Sequence, residues 1–312
     1  MTSKLQDRVA TQERSKPQAA RVPAALAPGV KLRKACAGFC VLAAAVLFCI
    51  TAYAQSGNDS MPAGELLRRA VDGELKAQAA DHTEWMYQTR VRDEGKDQIK
   101  TVIETLEGDL ERLRAVNGKP LTPEQEKQED QRIDGLIHNR REQRKLRRAK
   151  EEDGQSTERL FKMLPDAMTA RYGSRQGDLV EILFTPNPNF HPPSHEAAVF
   201  HGMDGRIWIN TRENRLAEIE GHLIETIKFG GGLFGHLDKG GEFHVKQSEV
   251  GPGHWEITLL HVNMHGKVLF FKTIGVQQDE TQTNFQRVPD NLTLAQAEED
   301  LRGKHAVAEA SK

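Results

Sequence analysis

The sequence predicts an α+β protein in which a curved antiparallel sheet of about 10–11 strands, an incomplete β-barrel, is wrapped around a helix. Most of the chain after residue 168 consists of short segments in which apolar and polar residues alternate, which is the period of a half-buried strand. These segments follow one another without intervening helices, so neighbouring strands should pair antiparallel. Helical periodicity is confined to the start of the domain, a charged stretch after the third strand and the C-terminus.

Residues 1–54 have the composition of a secretory signal peptide with an extended n-region. Basic residues precede an apolar run over 35–50, and an A-x-A cleavage site follows it. The run is shorter than the roughly 20 residues of a spanning helix, so we expect cleavage and a periplasmic location. The alternative is an uncleaved signal that anchors the chain to the inner membrane. The residues that carry this interpretation are Lys31, Arg33, Lys34, Ala52, Ala54 and Gln55.

The true start codon is open between Met1 and Val30, because a signal that begins at Val30 has an ordinary length. All three cysteines lie within the signal, so the mature chain has no disulfide, thiolate metal site or cysteine nucleophile. Residues 1–54 hold 8 of the 43 basic and 2 of the 45 acidic residues, which leaves 35 and 43, a net charge of −8. Such a balance argues against nucleic acid as a partner.

The mature chain is expected to form a single domain over residues 55–302, followed by a disordered tail over 303–312. Apolar residues at every third or fourth position predict a helix over 64–80. Alternation then predicts strands over 85–91, 99–106 and 110–116, with a turn at 107–109.

The sheet is predicted to break at residues 117–120, where Asn-Gly precedes Lys-Pro. Thr122, Pro123 and Gln125 form a strong helix start. The helix that follows, from 123 to about 152, has only a thin apolar stripe, and a shorter helix is predicted over 156–164. Together they make a long charged helical insertion at 123–164.

The second half of the chain is predicted to consist of strands separated by turns. A strand around 180–185 is followed by a proline-rich loop at 186–193. A turn at Asp204-Gly205 is predicted between strands 196–202 and 206–211. Further strands are predicted at 217–223, 255–260 and 268–274, the last after a turn at 265–267, and a capping box at 293–296 opens a short C-terminal helix.

Motifs for phosphate and metal binding have ordinary structural explanations. The glycine run at 230–235 is followed by neither Lys-Ser nor Lys-Thr, and it is predicted to be a turn between two strands. His191 and His195 have helical spacing, but prolines lie between them. His261 and His265 share a predicted strand, where four residues span roughly 13 Å. We therefore expect neither a metal site nor a cofactor.

No catalytic set is identified from the sequence. No G-x-S-x-G pattern is present, and nothing in the spacing joins Ser174, Ser194 or Ser248 to a histidine and a carboxylate. Glu218 and Glu220 share one face of a strand and are interpreted as facing solvent. The chain is therefore expected not to be an enzyme.

Two groups of residues are candidates for binding. Aromatic residues on predicted strands are core residues or line a concave apolar face that holds a lipid chain: Trp85, Tyr87, Phe184, Phe200, Trp208 and Trp255. Basic residues near the middle of the insertion either pair locally or meet anionic lipid headgroups or an acidic partner: Arg140, Arg141, Arg144, Lys145, Arg147 and Arg148.

Six segments carry a likeness to a known family: 85–91, 101–116, 116–125, 205–210, 215–221 and 266–272. With these segments, the order of elements resembles the lipoprotein-carrier (LolA/LolB-like) half-barrel superfamily of bacterial cell envelopes, and more closely a set of uncharacterised exported bacterial proteins. The resemblance covers about residues 64–302. It implies an incomplete antiparallel barrel around a helix, an apolar cavity for acyl chains and no enzymatic step.

The first functional hypothesis is therefore a periplasmic carrier or binding protein for a lipid or another amphiphile, with lipid, lipoprotein or an anionic membrane surface as partner. The second is an envelope structural or interaction module whose core is filled by its own side chains. The third is an envelope hydrolase that uses His195 or His261 together with acidic residues.

Overall fold

The computed structural model describes residues 61–93, 95–194, 196–229, 232, 235–268 and 272–310, the side chains of 153, 268, 272–276 and 303–310 excepted. It is an α+β structure with one antiparallel sheet of 13 strands that does not close. The predicted signal peptide, with Ala52, Ala54 and Gln55, lies outside the described residues, as does most of the glycine run.

The helices are α1 (Ala63–Ala80), α2 (Pro123–Ile137), α3 (Arg140–Ala167) and α4 (Leu294–Ala310), with a 3-10 helix at Glu196–Gly202. The strands are β1 (Trp85–Asp93), β2 (Lys96–Ile103), β3 (Leu110–Val116), β4 (Lys119–Pro120), β5 (Met168–Gln176), β6 (Leu179–Pro186), β7 (Met203–Asn210), β8 (Arg215–Leu223), β9 (Ile227–Phe229), β10 (Gly235–Leu237), β11 (Glu242–Gly251), β12 (His254–Val268) and β13 (Lys272–Arg287).

The main strand order is β4-β3-β2-β1-β13-β12-β11-β8-β7-β6-β5, so β4 and β5 are the two ends of this path. The hairpin of β9 and β10 joins the end of β12, where Leu237 pairs with Gly266. The long strand β13 pairs with β1 on one side and β12 on the other, which brings the N-terminal hairpins beside the C-terminal strands. The sheet is thus continuous, because β13, the last strand in the sequence, joins the N-terminal strands to the rest of the sheet.

The larger hydrophobic cluster packs α1 and the second half of α3 against one face of the sheet. Leu67 of α1, Leu164 of α3 and Ile182 of β6 are almost fully buried in it. A second cluster joins α2 and α4 to the first strands, around Ile133, Leu110 and Leu301. The alternation that predicted β6 and β8 is confirmed, because Val180, Ile182 and Phe184 are buried while the residues between them are half-buried.

The predicted helix boundaries in the insertion are wrong. The break lies at His138 and Asn139, and α3 then runs without interruption through residues 153–155 to Ala167. Asn139 explains the break, because its side chain accepts hydrogen bonds from the backbone of Arg141 (3.0 Å) and Glu142 (3.3 Å) and so starts a new helix. The predicted start of α2 is confirmed, with both hydrogen bonds of the Thr122–Gln125 capping box present.

Two predicted turns are also wrong, and the predicted break at 117–120 is confirmed only for the turn at 117–118. Asp204-Gly205 lies within β7, and residues 196–202 form the 3-10 helix rather than a strand. Residues 265–267 lie within β12, which continues to Val268. Residues 119–120 make a two-residue edge strand with β3, which Pro120 allows because an edge needs no further N–H donor. Glycine is not a reliable turn signal at these positions, because glycine also occurs within strands where two backbones approach closely.

The C-terminal capping box is confirmed, since Thr293 and Gln296 exchange hydrogen bonds at the start of α4. The helix is not short: its backbone continues to Ala310, through residues that the sequence assigns to a disordered tail. Among the helices of the described residues, none combines the length and apolar character that crossing a membrane requires.

Candidate functional site

A small cavity lies between α1, α3 and the ends of β8, β11 and β12. Its volume is about 80 Å³, and it is partly open to solvent. Apolar surface comes from Phe161, Trp255 and Ile257, while Glu74 and Arg215 contribute charge. An apolar cavity that holds one benzene is roughly 150 Å³, so this space accommodates a few water molecules rather than an acyl chain.

A bidentate ion pair forms one wall of this cavity. Arg215 donates from Nε and Nη2 to the two carboxylate oxygens of Glu74, at 2.9 and 3.0 Å. The guanidinium also lies over the Trp255 ring, 5.7 Å from its centroid. With both side chains about nine-tenths buried, the pair ties α1 to β8 and leaves little charge for a ligand.

A second carboxylate, Asp81, lies at the mouth of the cavity. Burial alone raises its pKa, but hydrogen bonds from His254 and from Thr83 outweigh burial and hold the pKa below its usual range. The His254 Nδ1 to Asp81 Oδ2 distance is 2.9 Å. Asp81 is thus a stable carboxylate at neutral pH, which suits a structural anchor better than a proton donor.

The six aromatic candidates do not line one common surface. Trp85 and Tyr87 pack with Val102 in a cluster of their own, and the Tyr87 ring stacks on Phe285 at 5.1 Å. Phe184 and Phe200 are buried in the larger cluster. Trp208 pairs across the sheet with Glu218, on the face opposite its buried neighbours Ile207 and Ile209, and Trp255 alone borders the cavity.

The six basic candidates share the exposed side of the first half of α3 and are called here the cationic face: Arg140, Arg141, Arg144, Lys145, Arg147 and Arg148. The opposite side of the same helix holds it to the body of the protein. Leu146 lies against Gly108, and Lys150 donates to the Asp109 carboxylate (3.1 Å) and to the Thr105 carbonyl (3.2 Å).

Local ion pairs neutralise only part of the cationic face. Lys145, Arg147 and Arg148 have a carboxylate at 3.6 to 3.9 Å, in exposed pairs that are worth less than about 1 kcal/mol each. Arg140, Arg141 and Arg144 form no ion pair with any residue that the structure describes. Arg140 and Arg141 also begin the helix, where its dipole disfavours positive charge by about 0.3–1 kcal/mol each.

A network of histidines and carboxylates covers the sheet face opposite α1. His244 on β11 pairs with Glu220 on β8 and with His261 on β12. The described side chains contain one set that could hold a metal ion: Glu218, Glu220 and His244. The sequence indicates that Glu218 and Glu220 share one face of a strand. It does not indicate that His244 lies beside them, because local alternation does not determine the register between strands.

The histidine pairs considered from the sequence are separate from this set. His191 lies in a loop and its Nδ1 is 2.9 Å from the carbonyl of Asn189, while His195 is outside the described residues. His261 and His265 both lie on β12, and His261 Nδ1 is 2.5 Å from Asp279.

Each serine considered as a nucleophile has a structural partner instead of a histidine. Ser174 donates to Glu181 (2.8 Å), Ser248 and Thr258 share a hydrogen bond (3.1 Å), and Ser194 accepts from the backbone of Ala197 (3.3 Å). Within the described part of the chain these contacts assemble no serine–histidine pair.

No protein-family model matches the chain, and no curated protein matches its sequence.

Proposed function

We propose that this protein is an exported, non-catalytic envelope module that docks on anionic lipid through the cationic face of α3, with a core filled by its own side chains. In this proposal the sheet curves around α1 and the second half of α3 as an incomplete barrel. The first half of α3 and α2 form a charged insertion that projects from it.

The observation that carries the proposal is the incomplete neutralisation of the cationic face. Repulsion among six cations, and the unfavourable placement of Arg140 and Arg141 at a helix start, cost stability. Only weak, exposed ion pairs at Lys145, Arg147 and Arg148 offset this cost among the described residues. Local conflicts of this kind are typical of functional sites. A basic side chain near an anionic lipid surface contributes about 1 kcal/mol, so the six together suffice for reversible docking.

The net negative charge of the rest of the chain does not oppose such docking strongly. Charges farther away than a Debye length, about 8 Å at physiological ionic strength, are largely screened. Docking therefore depends on the charges that reach the headgroups. Substitution of these basic residues, or added salt, should therefore weaken docking.

Vesicle co-flotation tests the proposal with protein that begins at Gln55. We expect binding to vesicles that contain phosphatidylglycerol, no binding to pure phosphatidylcholine, and loss of binding as salt rises. Arg140→Gln, Arg141→Gln, Arg144→Gln and Arg148→Gln together should abolish it. A matched control neutralises four exposed cations elsewhere, at Arg69, Lys119, Lys228 and Lys239, and should bind as the wild type does.

Equal binding by the two quadruple variants would refute the proposal. Binding of the wild type to an acidic protein, with none to anionic vesicles, would replace the lipid by an acidic partner.

A second candidate function, an amphiphile carrier, is favoured by the position of the cavity. A smaller cavity of about 20 Å³ adjoins it and shares Phe161, Gln247 and Ile257 with it. A displacement of Phe161 would join both spaces into an apolar channel beneath the sheet. Native mass spectrometry of protein purified from its host tests this: co-purifying lipid supports a carrier, and its absence favours the self-filled core.

A further inference from the structure

Three ligand atoms of different side chains converge on the sheet face opposite α1. His244 Nε2 lies 2.7 Å from Glu218 Oε1 and 3.7 Å from Glu220 Oε1. All three atoms lie within 4.8 Å of one another. Ligand atoms around a tetrahedral Zn²⁺ at about 2.0–2.2 Å are about 3.3–3.6 Å apart, so the observed separations need only small side-chain adjustments.

The outer carboxylate oxygens are held by cations, which aims the inner oxygens at the histidine. Arg206 donates from Nη2 (2.6 Å) and Nε (3.0 Å) to Glu220 Oε2. Lys246 Nζ lies 3.9 Å from Glu218 Oε2. Hydrogen bonds to the remote atoms of a ligand orient it and are a regular feature of metal sites.

Sheet geometry makes this arrangement rigid. Glu218 and Glu220 are two residues apart on β8 and therefore project from the same face. Register pairs His244 with Glu220 on the neighbouring strand β11. Both strands are interior to the sheet, and ligands on rigid elements keep their geometry better than ligands on loops.

The donor set indicates the class of ion. One imidazole nitrogen and two carboxylate oxygens suit Zn²⁺ and similar first-row ions, whereas Ca²⁺ and Mg²⁺ take sets made of oxygen. Two carboxylates and a neutral imidazole carry a charge of −2, part of which Arg206 and Lys246 already offset. The side chains are 21–31% exposed, so water can reach the remaining coordination position.

We propose that Glu218, Glu220 and His244 bind one Zn²⁺ ion or a divalent first-row ion of similar size. This site is independent of the cationic face of α3, and its failure would leave the docking proposal untouched. Without an ion, the same side chains form a charge network with Arg206 and Lys246, which is the alternative that the experiment must exclude.

Isothermal titration of the purified protein with ZnCl₂ tests the proposal. We expect saturable binding of one ion per chain. His244→Ala and Glu218→Gln should each weaken it by at least the roughly 10–100-fold that loss of an outer-shell partner costs. The matched control is His261→Ala, which removes the cross-strand neighbour of His244 on the same face and should leave the affinity unchanged.

A second measurement does not depend on the variants folding. In a ¹⁵N-edited spectrum of histidine side chains, one equivalent of Zn²⁺ should shift the Nε2 resonance of His244 and leave that of His261 in place. The proposal is overturned by absence of saturable binding, by wild-type affinity in folded His244→Ala, or by loss of binding in His261→Ala.

Discussion

Gly205 and Gly221 face each other across β7 and β8. A Cβ atom on Gly205 would lie 2.7 Å from the Cα of Gly221 and 2.9 Å from the Phe184 ring, and it would also meet the carbonyl oxygen of Glu220. Two of these neighbours are backbone and cannot rotate away. Glycine is therefore required here by the closeness of the strands.

We predict that Gly205→Ala destabilises the protein by about 1–3 kcal/mol through overpacking. Gly135→Ala is the matched control, because Gly135 lies in α2 with nothing within 4 Å of its missing Cβ. Because alanine has a higher helix propensity than glycine, Gly135→Ala should stabilise the protein by about 0.5–1 kcal/mol. Urea unfolding of both variants measures the two changes, and a neutral Gly205→Ala would contradict the packing argument.

His222 is a half-buried titratable group on the histidine-bearing face. Burial lowers its pKa to about 4, from about 6.5 in an unfolded chain. Its Nε2 lies 3.3 Å from Asp204 Oδ1, yet neither atom has a hydrogen-bond partner among the described residues. Burial also raises the pKa of Asp204, so both groups favour their neutral forms in the folded state.

The sign of the resulting pH dependence follows from the lowered pKa of His222. The folded state binds the His222 proton more weakly than the unfolded state, so this contribution to stability is complete above about pH 6.5. It falls as the pH drops from about 6.5 toward 4. Asp204 has the opposite sign, because its folded form holds a proton to higher pH.

We therefore predict that His222→Gln flattens the acid side of the stability profile. The difference in unfolding free energy between wild type and variant should shift against the wild type between pH 6.5 and pH 4. Urea unfolding at a series of pH values measures this difference. A constant difference across that range would show that His222 is not the group responsible.

Single residues also mark the limit of what the sequence predicts about the candidate sites. Charge and spacing identify the six cations of α3, because consecutive helical residues carry that information locally. The set of Glu218, Glu220 and His244 depends on the pairing of β8 with β11, which are separated by the β9–β10 hairpin. Register is a long-range property, and the alternation that predicts a strand does not contain it.

At the scale of elements, the bidentate pair of Glu74 and Arg215 joins α1 to β8. Both side chains are buried, so removing one partner leaves the other charge uncompensated. We predict that Glu74→Leu costs about 3–5 kcal/mol. Combining it with Arg215→Met should cost at least about 1 kcal/mol less than the sum of the single changes.

A double-mutant cycle by chemical denaturation measures this coupling. Strict additivity of the two substitutions would show that the pair contributes no specific interaction.

The two halves of α3 lie in different environments, which explains why the sequence predicts the wrong helix boundaries. Its first half is polar because it lies on the surface, whereas Leu160, Phe161 and Leu164 of its second half are buried against the sheet. A change of environment within one helix looks like two helices in the sequence. The actual boundary depends on the cap at Asn139, a signal that the surrounding charged residues obscured.

At the scale of the whole molecule, one sheet supports two hydrophobic clusters. Leu67 belongs to the larger cluster and Leu301 to the smaller, and both are fully buried. The clusters are joined through β13, which pairs with both β1 and β12. We therefore expect them to unfold together.

We predict that Leu67→Ala and Leu301→Ala each lower the free energy of unfolding by about 2–5 kcal/mol. Both should shift one common transition, and the double variant should show the sum of the two effects because the sites share no cluster. Fluorescence and circular dichroism measured in parallel test this. Two separate transitions, with only one shifted by each variant, would contradict a single cooperative unit.

The sequence predicted the class of this architecture better than its pairing. Alternation and the absence of intervening helices were sufficient for an antiparallel sheet with helices on the N-terminal side of the long strand region. The partnership of β1 with β13, nearly two hundred residues apart, has no local signal. The additional strands, such as β9 and β10 with three residues each, are too short to establish a period.

The two ends of the open sheet differ in a way that bears on self-association. The edge at β4 is two residues long and includes Pro120, which has no N–H to offer. The edge at β5 is interrupted by a bulge between Tyr172 and Arg175 and carries the exposed charges Arg171 and Arg175. Short, bulged and charged edges resist the addition of a strand from another molecule. Neither end of the main strand path therefore offers a long, flat edge to a second molecule, although the sheet does not close into a ring.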